Sequence, residues 1–393
     1  MAAAFVSPLK ELPSFREQIA YVYDDYMDTL GGGERSALAY ALALKQMGFT
    51  VEILSKRPVP EAAVIRKIFG DEFSDISMRY ISDGSVYTFA KSAEPTVFIN
   101  HTFMSFLPNP AKIGIYSQMF PVRKINRRSN AVEFNALNSY RFMLSNSSFT
   151  KNYSDQWWDF PEKSSKVLLP PIGSKFIARA NTYLEAGLPK KTKTFVHIGR
   201  FNPGNHNKNQ KIIIESFVES QKRFPILKDW SLTLVGNVND TPDSRQYFKS
   251  CQDLARDSSA KIEFRSGIAN DELLDILSTS AGYVHATGAF IPPGHEPHKC
   301  EHYGLGIVEA MAHGCIPLIY ARGGVFDVLK PGLMGIPYIS REGLIEGYAL
   351  IAEKFSTGTT GMMSRECVQA AASQNQRDFT LRLAALLKEA LAK

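Results

Sequence analysis

Apolar runs of strand length alternate with stretches of helical period along the whole chain. Residues 18–23 read as a strand, 33–47 as a helix with Leu38, Ala41, Leu42 and Leu44 at apolar positions, and 49–55 as the next strand. Further strands are predicted at 96–100, 113–117 and 140–145. These strands are almost continuously apolar and do not alternate with polar residues. Such a β-α-β rhythm predicts a parallel sheet covered by helices on both faces. A Pro-rich segment at 167–172 interrupts the pattern, and a second rhythm follows. Its strands are predicted at 194–198, 232–235, 261–264, 282–285 and 315–320, with helices between them such as 209–223 and 271–278. Finally, Phe379, Leu383, Leu386, Leu387, Ala390 and Leu391 recur at helical spacing and predict an amphipathic closing helix. The expected organisation is an α/β chain of two doubly wound domains, 1–178 and 179–376, with the closing helix at 377–393. No repeat or low-complexity tract interrupts it.

Composition agrees with this picture and narrows the function. A length of 393 residues suits two domains with cores of their own. With 44% hydrophobic and 21% charged residues the chain is neither disordered nor a disulfide scaffold. A net charge of +6 is too small, over this length, to argue for a nucleic-acid partner. No apolar run is long enough to span a membrane. The first residues lack the charged and apolar regions of a signal peptide. Cys251, Cys300, Cys315 and Cys367 form no C-x-x-C pair and suit a reducing compartment as buried small hydrophobes. A soluble cytoplasmic protein is the expectation.

In open parallel sheets ligands sit beyond the carboxyl ends of the strands, so candidate chemistry belongs in the loops that follow them. Leu30-Gly31-Gly32-Gly33-Glu34-Arg35-Ser36 precedes a helix directly. Its glycines admit close backbone approach, and the helix start offers free N–H groups to an anion. A phosphate or sugar loop and an inert turn both fit. A dinucleotide fingerprint fits poorly, because eight residues, Asp24 to Gly31, separate the turn from its strand. Gly199-Arg200 ends another strand, and Lys208 follows before the next helix. Arg presents a planar fork to phosphate oxygens and Lys a mobile point charge, so the pair suits a diphosphate, although two solvated cations would look the same.

The sharpest segment runs from Glu301 to Gly314. Gly304-Leu305-Gly306 opens a helix whose N–H groups a phosphate or sugar could reach. Glu309 stands between Ile307-Val308 and Ala310-Met311-Ala312, so it is expected to be buried. A buried carboxylate needs partners, either ligand hydroxyls or a protein cation or cap. Two other stretches attract attention. His295-Glu296-Pro297-His298-Lys299-Cys300-Glu301-His302 has metal-capable side chains but no regular frame, which leaves an acceptor-side loop, a metal site or a plain solvated loop. Arg123-Lys124-Ile125-Asn126-Arg127-Arg128 suits an anionic membrane surface or a lipid-diphosphate acceptor, or is an ordinary solvated face.

With these residues in hand, the chain resembles the retaining, nucleotide-sugar-dependent glycosyltransferases of family 4. The segment from Glu301 is similar to that family's signature of two glutamates separated by seven residues and followed by A-M-A-x-G. Residues 31–35, 145–151, 167–171, Gly199-Arg200 and Gly323-Gly324 match in the family's order. His285-Ala286-Thr287-Gly288 and residues 297–303 further resemble bacterial members that build surface polysaccharides. The resemblance implies a GT-B fold, in which two Rossmann-like domains face a central cleft and a C-terminal helix crosses back to the first. It implies that Arg200 and Lys208 hold the donor diphosphate, that Glu309 binds the ribose, and that Glu301 supports the transition state at the donor sugar. Gly32 and Gly33 would approach the diphosphate and the acceptor, Gly304, Leu305 and Gly306 would line the donor site, and His101 would stand at the donor sugar. The Arg200–Lys208 loop is longer than usual in the family. The implied partners are a nucleoside-diphosphate sugar and a glycan or lipid-linked acceptor, with peripheral contact to the inner face of a membrane and no cofactor or metal. An epimerase or phosphorylase of the same fold, or a non-catalytic sugar-nucleotide or glycan-binding module, would use the same loops.

Overall fold

A computed structural model describes residues 15, 17–158, 160, 164–204, 207–292 and 294–392. The chain divides into two compact units, residues 1–174 with 374–393, and residues 175–373. The expected divisions lay at 178/179 and 376/377, a few residues later.

Unit 1 contains β1 (Ile19–Tyr23), β2 (Thr50–Ser55), β3 (Ser77–Tyr80), β4 (Val97–Asn100), β5 (Ile113–Gln118), β6 (Phe142–Ser145) and β7 (Ser165–Val167). They form one parallel sheet in the order β3-β2-β1-β4-β5-β6-β7. Every residue of β4, β5 and β6 is buried, as the continuous apolar runs require of a sheet covered on both faces. Unit 2 contains β8 (Thr192–Ile198), β9 (Ser231–Val235), β10 (Lys261–Arg265), β11 (Ser280–His285), β12 (Ile316–Tyr320) and β13 (Ile336–Tyr338). Its sheet is also parallel, in the order β10-β9-β8-β11-β12-β13. Both sheets reverse their strand order once, at β1/β4 and at β8/β11. Loops on the two sides of such a reversal diverge and leave a crevice at the carboxyl ends of the strands.

The sequence pattern did not predict β3, β7 or β13. All three are at sheet edges and have four residues or fewer, so they carry no apolar run. The four cysteines are free and buried. Among the described residues no helix is long and apolar enough to cross a membrane.

The last helix, Gln376–Leu391, belongs to unit 1. Phe379, Leu383, Ala384 and Leu387 enter the same core as Leu38, Ala41 and Leu44 of the helix Gly32–Gln46. Polar ties fix its register: Gln376 Nε2 donates to the Ala39 carbonyl at 2.9 Å, and Thr380 Oγ1 to Gln46 Oε1 at 2.8 Å. The Phe379 and Tyr40 rings meet edge to face with centroids 5.1 Å apart. Leu383 is fully buried, so Leu383→Ala should destabilise unit 1 by about 2–5 kcal/mol. Scanning calorimetry should show a lowered midpoint for that unit. An unchanged midpoint would mean the helix adds nothing to the core.

Candidate functional site

In unit 2 the loops after β8 and β11 meet at the sheet's reversal. β8 runs out into Gly199, whose N–H donates to the Val235 carbonyl at 2.8 Å. The chain then loops to the helix Gln210–Arg223, and residues 205 and 206 of this long loop lie outside the described residues. Asn209 caps the helix in a left-handed conformation, φ 54°, and its Nδ2 donates to the Ala286 carbonyl at 2.7 Å. Gln210 is buried and donates from Nε2 to the carbonyls of both Gly199 and Arg200 at 3.1 Å. The Tyr247 hydroxyl lies 3.1 Å from Asn207 Oδ1 and 3.2 Å from Gln210 Oε1. These bonds fix the loop on either side of Lys208. Its stem crosses directly over Gly199, where a Cβ would come within 2.6 Å of Lys208 Cγ. The glycine thus makes room for the lysine. Arg200 is exposed at the start of the same loop.

Lys208 Nζ lies 2.6 Å from Glu301 Oε2, and His285 Nε2 lies 2.9 Å from the same oxygen. Burial by itself would raise the carboxyl pKa of Glu301. The Lys208 charge and the His285 hydrogen bond overcome that and hold it well below the usual carboxylate range. Burial lowers the pKa of His285, so the neutral imidazole donates from Nε2 to the carboxylate. The Glu301 backbone is fixed too, since its carbonyl accepts from Gly324 N–H at 3.0 Å. Gly323, with φ 133°, packs so closely that a Cβ there would sit 2.4 Å from the Glu301 carbonyl oxygen. This explains the glycine at 323.

Gly304 begins the helix Leu305–Ala312 in a left-handed conformation, φ 95°. Helical N–H groups in a first turn have no partner within the helix, which leaves those of Leu305 and Gly306 to face outward. Ile307, Val308, Ala310, Met311 and Ala312 are buried. Glu309 is only half-buried, contrary to the expectation from its apolar neighbours. Leu305, Gly306 and Glu309 share one helix face at spacings of three and four, and that face is the part-open one.

In unit 1 the corresponding reversal joins the glycine turn to His101. The helix Gly32–Gln46 begins in that turn, with Glu34 Oε2 accepting from Gly31 N–H at 2.5 Å. Gly32 is exposed. His101 is buried, with Nε2 2.9 Å from the Gly33 carbonyl and Nδ1 2.8 Å from Ser117 Oγ. A carbonyl only accepts, so Nε2 carries the proton and Nδ1 accepts from the serine. Burial pushes its pKa down to about 4, which keeps the ring neutral. Both ring nitrogens are thus used within the protein, and His101 ties β4 and β5 to the glycine turn. Asp24, the first residue after β1, was not singled out by sequence. It is buried, and burial raises its carboxyl well above the usual range while Oδ1 accepts from Tyr26 N–H at 2.8 Å.

Other candidates lie apart from these clusters. Pro297–Lys299 is a short 3-10 turn in which Lys299 pairs with Glu296, and His302 Nε2 lies 3.0 Å from the His298 carbonyl. Among the described residues no group of three or more His, Cys, Asp or Glu side chains is placed to hold a metal ion. Arg127 and Arg128 are exposed, and Arg123 pairs with Glu133 at 3.2 Å. Two residues of the Glu301 cluster lay beyond sequence reasoning in their roles. His285 and Gln210 act on side chains or carbonyls that only the fold brings near, and their one sequence signal is position at a strand end or a helix start.

Residues 183–349 match the family model described as Glycosyl transferases group 1. Among curated relatives, a Yarrowia lipolytica protein named GDP-Man:Man(3)GlcNAc(2)-PP-Dol alpha-1,2-mannosyltransferase is 28% identical over 199 residues, 48% of this chain and 28% of its own length. The chain therefore spans less than a third of that relative. Among solved structures, a glycosyltransferase from Rickettsia africae aligns over 95% of this chain and 99% of its own, with a TM-score of 0.71 and 13% identity. Anabaena HepE in complex with UDP-glucose aligns over 95% of this chain and 100% of its own, with a TM-score of 0.66 and 16% identity. The fold is that of the GT-B proteins, with two parallel-sheet Rossmann-like units.

The Glu301 carboxylate contributes stability that is present at neutral pH and lost as the pH falls through its depressed folded pKa. Lys208→Met leaves that carboxylate with His285 alone and should cost about 3 kcal/mol at pH 7, the lower end for a broken buried pair because both side chains keep some exposure. Adding Glu301→Gln should recover part of the loss. A urea-denaturation double-mutant cycle measures this, and strictly additive losses would mean the pair is not coupled.

Proposed function

We propose that the chain is a retaining glycosyltransferase that moves a sugar from a nucleoside diphosphate to an acceptor hydroxyl. The observation that carries this reading is the convergence of Lys208, Glu301 and the helix start Gly304–Gly306 at the reversal of the unit 2 sheet. A cation, a carboxylate and unpaired N–H groups are the complement of a sugar joined to a diphosphate. The matched family model and the mannosyltransferase relatives support the same class.

In this reading Lys208 and Arg200 neutralise the diphosphate as it leaves, together with the N–H groups of the helix start. Glu309 faces the ribose hydroxyls from the part-open side of its helix. Glu301 faces the sugar ring, where positive charge develops. The departing phosphate takes the acceptor proton on the same face, which retains the anomeric configuration. Two cationic side chains fill the role that a metal plays elsewhere, and the sequence has no Asp-x-Asp triplet. Unit 1 holds the acceptor, and His101 sets the shape of its glycine turn at Gly32 and Gly33. The relatives' names favour GDP-mannose as donor and a lipid-linked glycan as acceptor. In this reading the enzyme works in the cytoplasm on the inner face of a membrane, with Arg123, Lys124, Arg127 and Arg128 toward the lipid. Bacterial surface-polysaccharide assembly uses the same chemistry on a different lipid.

A thermal-shift series with GDP, UDP, ADP and CMP, each with its sugar conjugates and in the presence of EDTA, tests the donor class. A ligand that binds only the folded state raises the midpoint by mass action, and GDP is expected to do so without metal. No shift with any of them would overturn the reading.

The two glutamates should separate. An interaction equal in ground and transition states alters binding, while one made only in the transition state alters turnover. Glu309→Gln should weaken nucleoside-diphosphate affinity, and Glu301→Gln should leave it nearly intact and lower kcat. A hydrogen bond to a charged group makes either effect about ten- to a hundredfold. Calorimetry with the product nucleotide beside steady-state rates checks both, and interchangeable mutants would mean the roles are misassigned.

A further inference from the structure

His285 ends β11 and is buried. Its backbone is pinned on two sides: the Val284 carbonyl accepts from His197 Nδ1 at 2.8 Å, and the His285 carbonyl accepts from the Tyr338 hydroxyl at 2.9 Å. The ring that emerges from this fixed point reaches Glu301 Oε2 at 2.9 Å, the oxygen that also takes Lys208 Nζ at 2.6 Å. Neither bond uses Oε1.

The two donors differ in mobility. Lys208 sits on a four-carbon stem in a loop with a side chain 25% exposed, whereas the His285 side chain is 5% exposed. A diphosphate at the helix start competes for the lysine, because an ammonium is drawn to the greater negative charge. Glu301 then loses its cation at the moment its direction matters. The imidazole has nowhere else to go.

We propose that His285 is a positioning residue for Glu301: its Nε2–H holds Oε2 once Lys208 has turned to the diphosphate, and so directs Oε1 to the sugar. The inference rests on the transferase reading above. Because burial keeps the ring neutral, it donates without giving up its proton, and the carboxylate keeps its full charge. The titratable groups that interact with this pair are Lys208 from the loop after β8, His197 on β8, Tyr283 on β11 and Cys300, next to Glu301 in sequence.

Side-chain length supplies the test. Glutamine can place an amide N–H where Nε2 stands, whereas asparagine reaches only as far as Nδ1, and leucine donates nothing. With GDP-mannose and UDP-glucose as donor probes, His285→Asn and His285→Leu should lower kcat about ten- to a hundredfold. Their GDP or UDP affinity by calorimetry should stay within about twofold of the parent. Their acid limb should move to higher pH, since Glu301 protonates more readily without its donor. His285→Gln should recover most of kcat and the parental pH profile. Asparagine and glutamine compare two polar variants, so the test survives if the leucine variant does not fold. Parental kcat in the asparagine variant, a parallel loss of kcat and nucleotide affinity, or glutamine no better than asparagine would overturn the proposal while leaving the transferase reading intact. A parent that turns over neither donor probe and binds neither nucleotide would overturn both.

Discussion

Each sheet reverses its strand order once, and the chemistry of both units follows from that constraint. Strands β8 and β11 are hydrogen-bonded neighbours, and the loops that leave them come together at the carboxyl end of the sheet. Lys208 arrives from one loop and Glu301 from the other, 93 residues apart in sequence. Unit 1 repeats the geometry in milder form, with the glycine turn after β1 and His101 after β4. Residues without chemical character of their own serve this meeting. Gly199 clears space for the lysine stem, Gly323 for the Glu301 backbone, and Gln210 braces the loop between them.

The electrostatics of the unit 2 cluster is balanced before any ligand arrives. A buried carboxylate beside one ammonium and one neutral imidazole has no net charge to repel an incoming anion. An anion that takes the ammonium must therefore exceed what the carboxylate offers it. That competition favours dense negative charge, as in a diphosphate, over a single carboxylate or sulfate. Selectivity of this kind requires no additional contact.

Much of this was legible in the sequence, and the exceptions have physical reasons. The central strands announced themselves through runs such as Val97–Asn100 and Ile113–Gln118 because burial on both faces tolerates little else. The helix Gly32–Gln46 and the closing helix appeared within a residue or two of expectation. Edge strands such as Ser77–Tyr80 escaped because one face and one edge meet solvent, so their residues need no apolar pattern. In the site, glycines and charged residues near strand ends were visible as candidates. Their partnerships were not. That Lys208 and Glu301 share an oxygen with His285, or that both nitrogens of His101 are consumed internally, depends on pairings across the sheet that spacing along the chain does not encode. Glu309 misled for a related reason: its sequence neighbours are buried, but on a helix the adjacent residue faces another way.

The closing helix makes unit 1 discontinuous, and this orders events during synthesis. Unit 2 is one uninterrupted stretch and can acquire its core as soon as residue 373 has emerged. Unit 1 begins first and finishes last, because Phe379, Leu383 and Leu387 must join a core begun some 330 residues earlier, as the contact between Gln376 and Ala39 across 337 positions makes plain. Until then the helix Gly32–Gln46 presents an uncovered apolar strip to its surroundings for the entire time the ribosome spends on unit 2. Unit 1 of the nascent chain therefore carries exposed apolar surface for longer than unit 2 does.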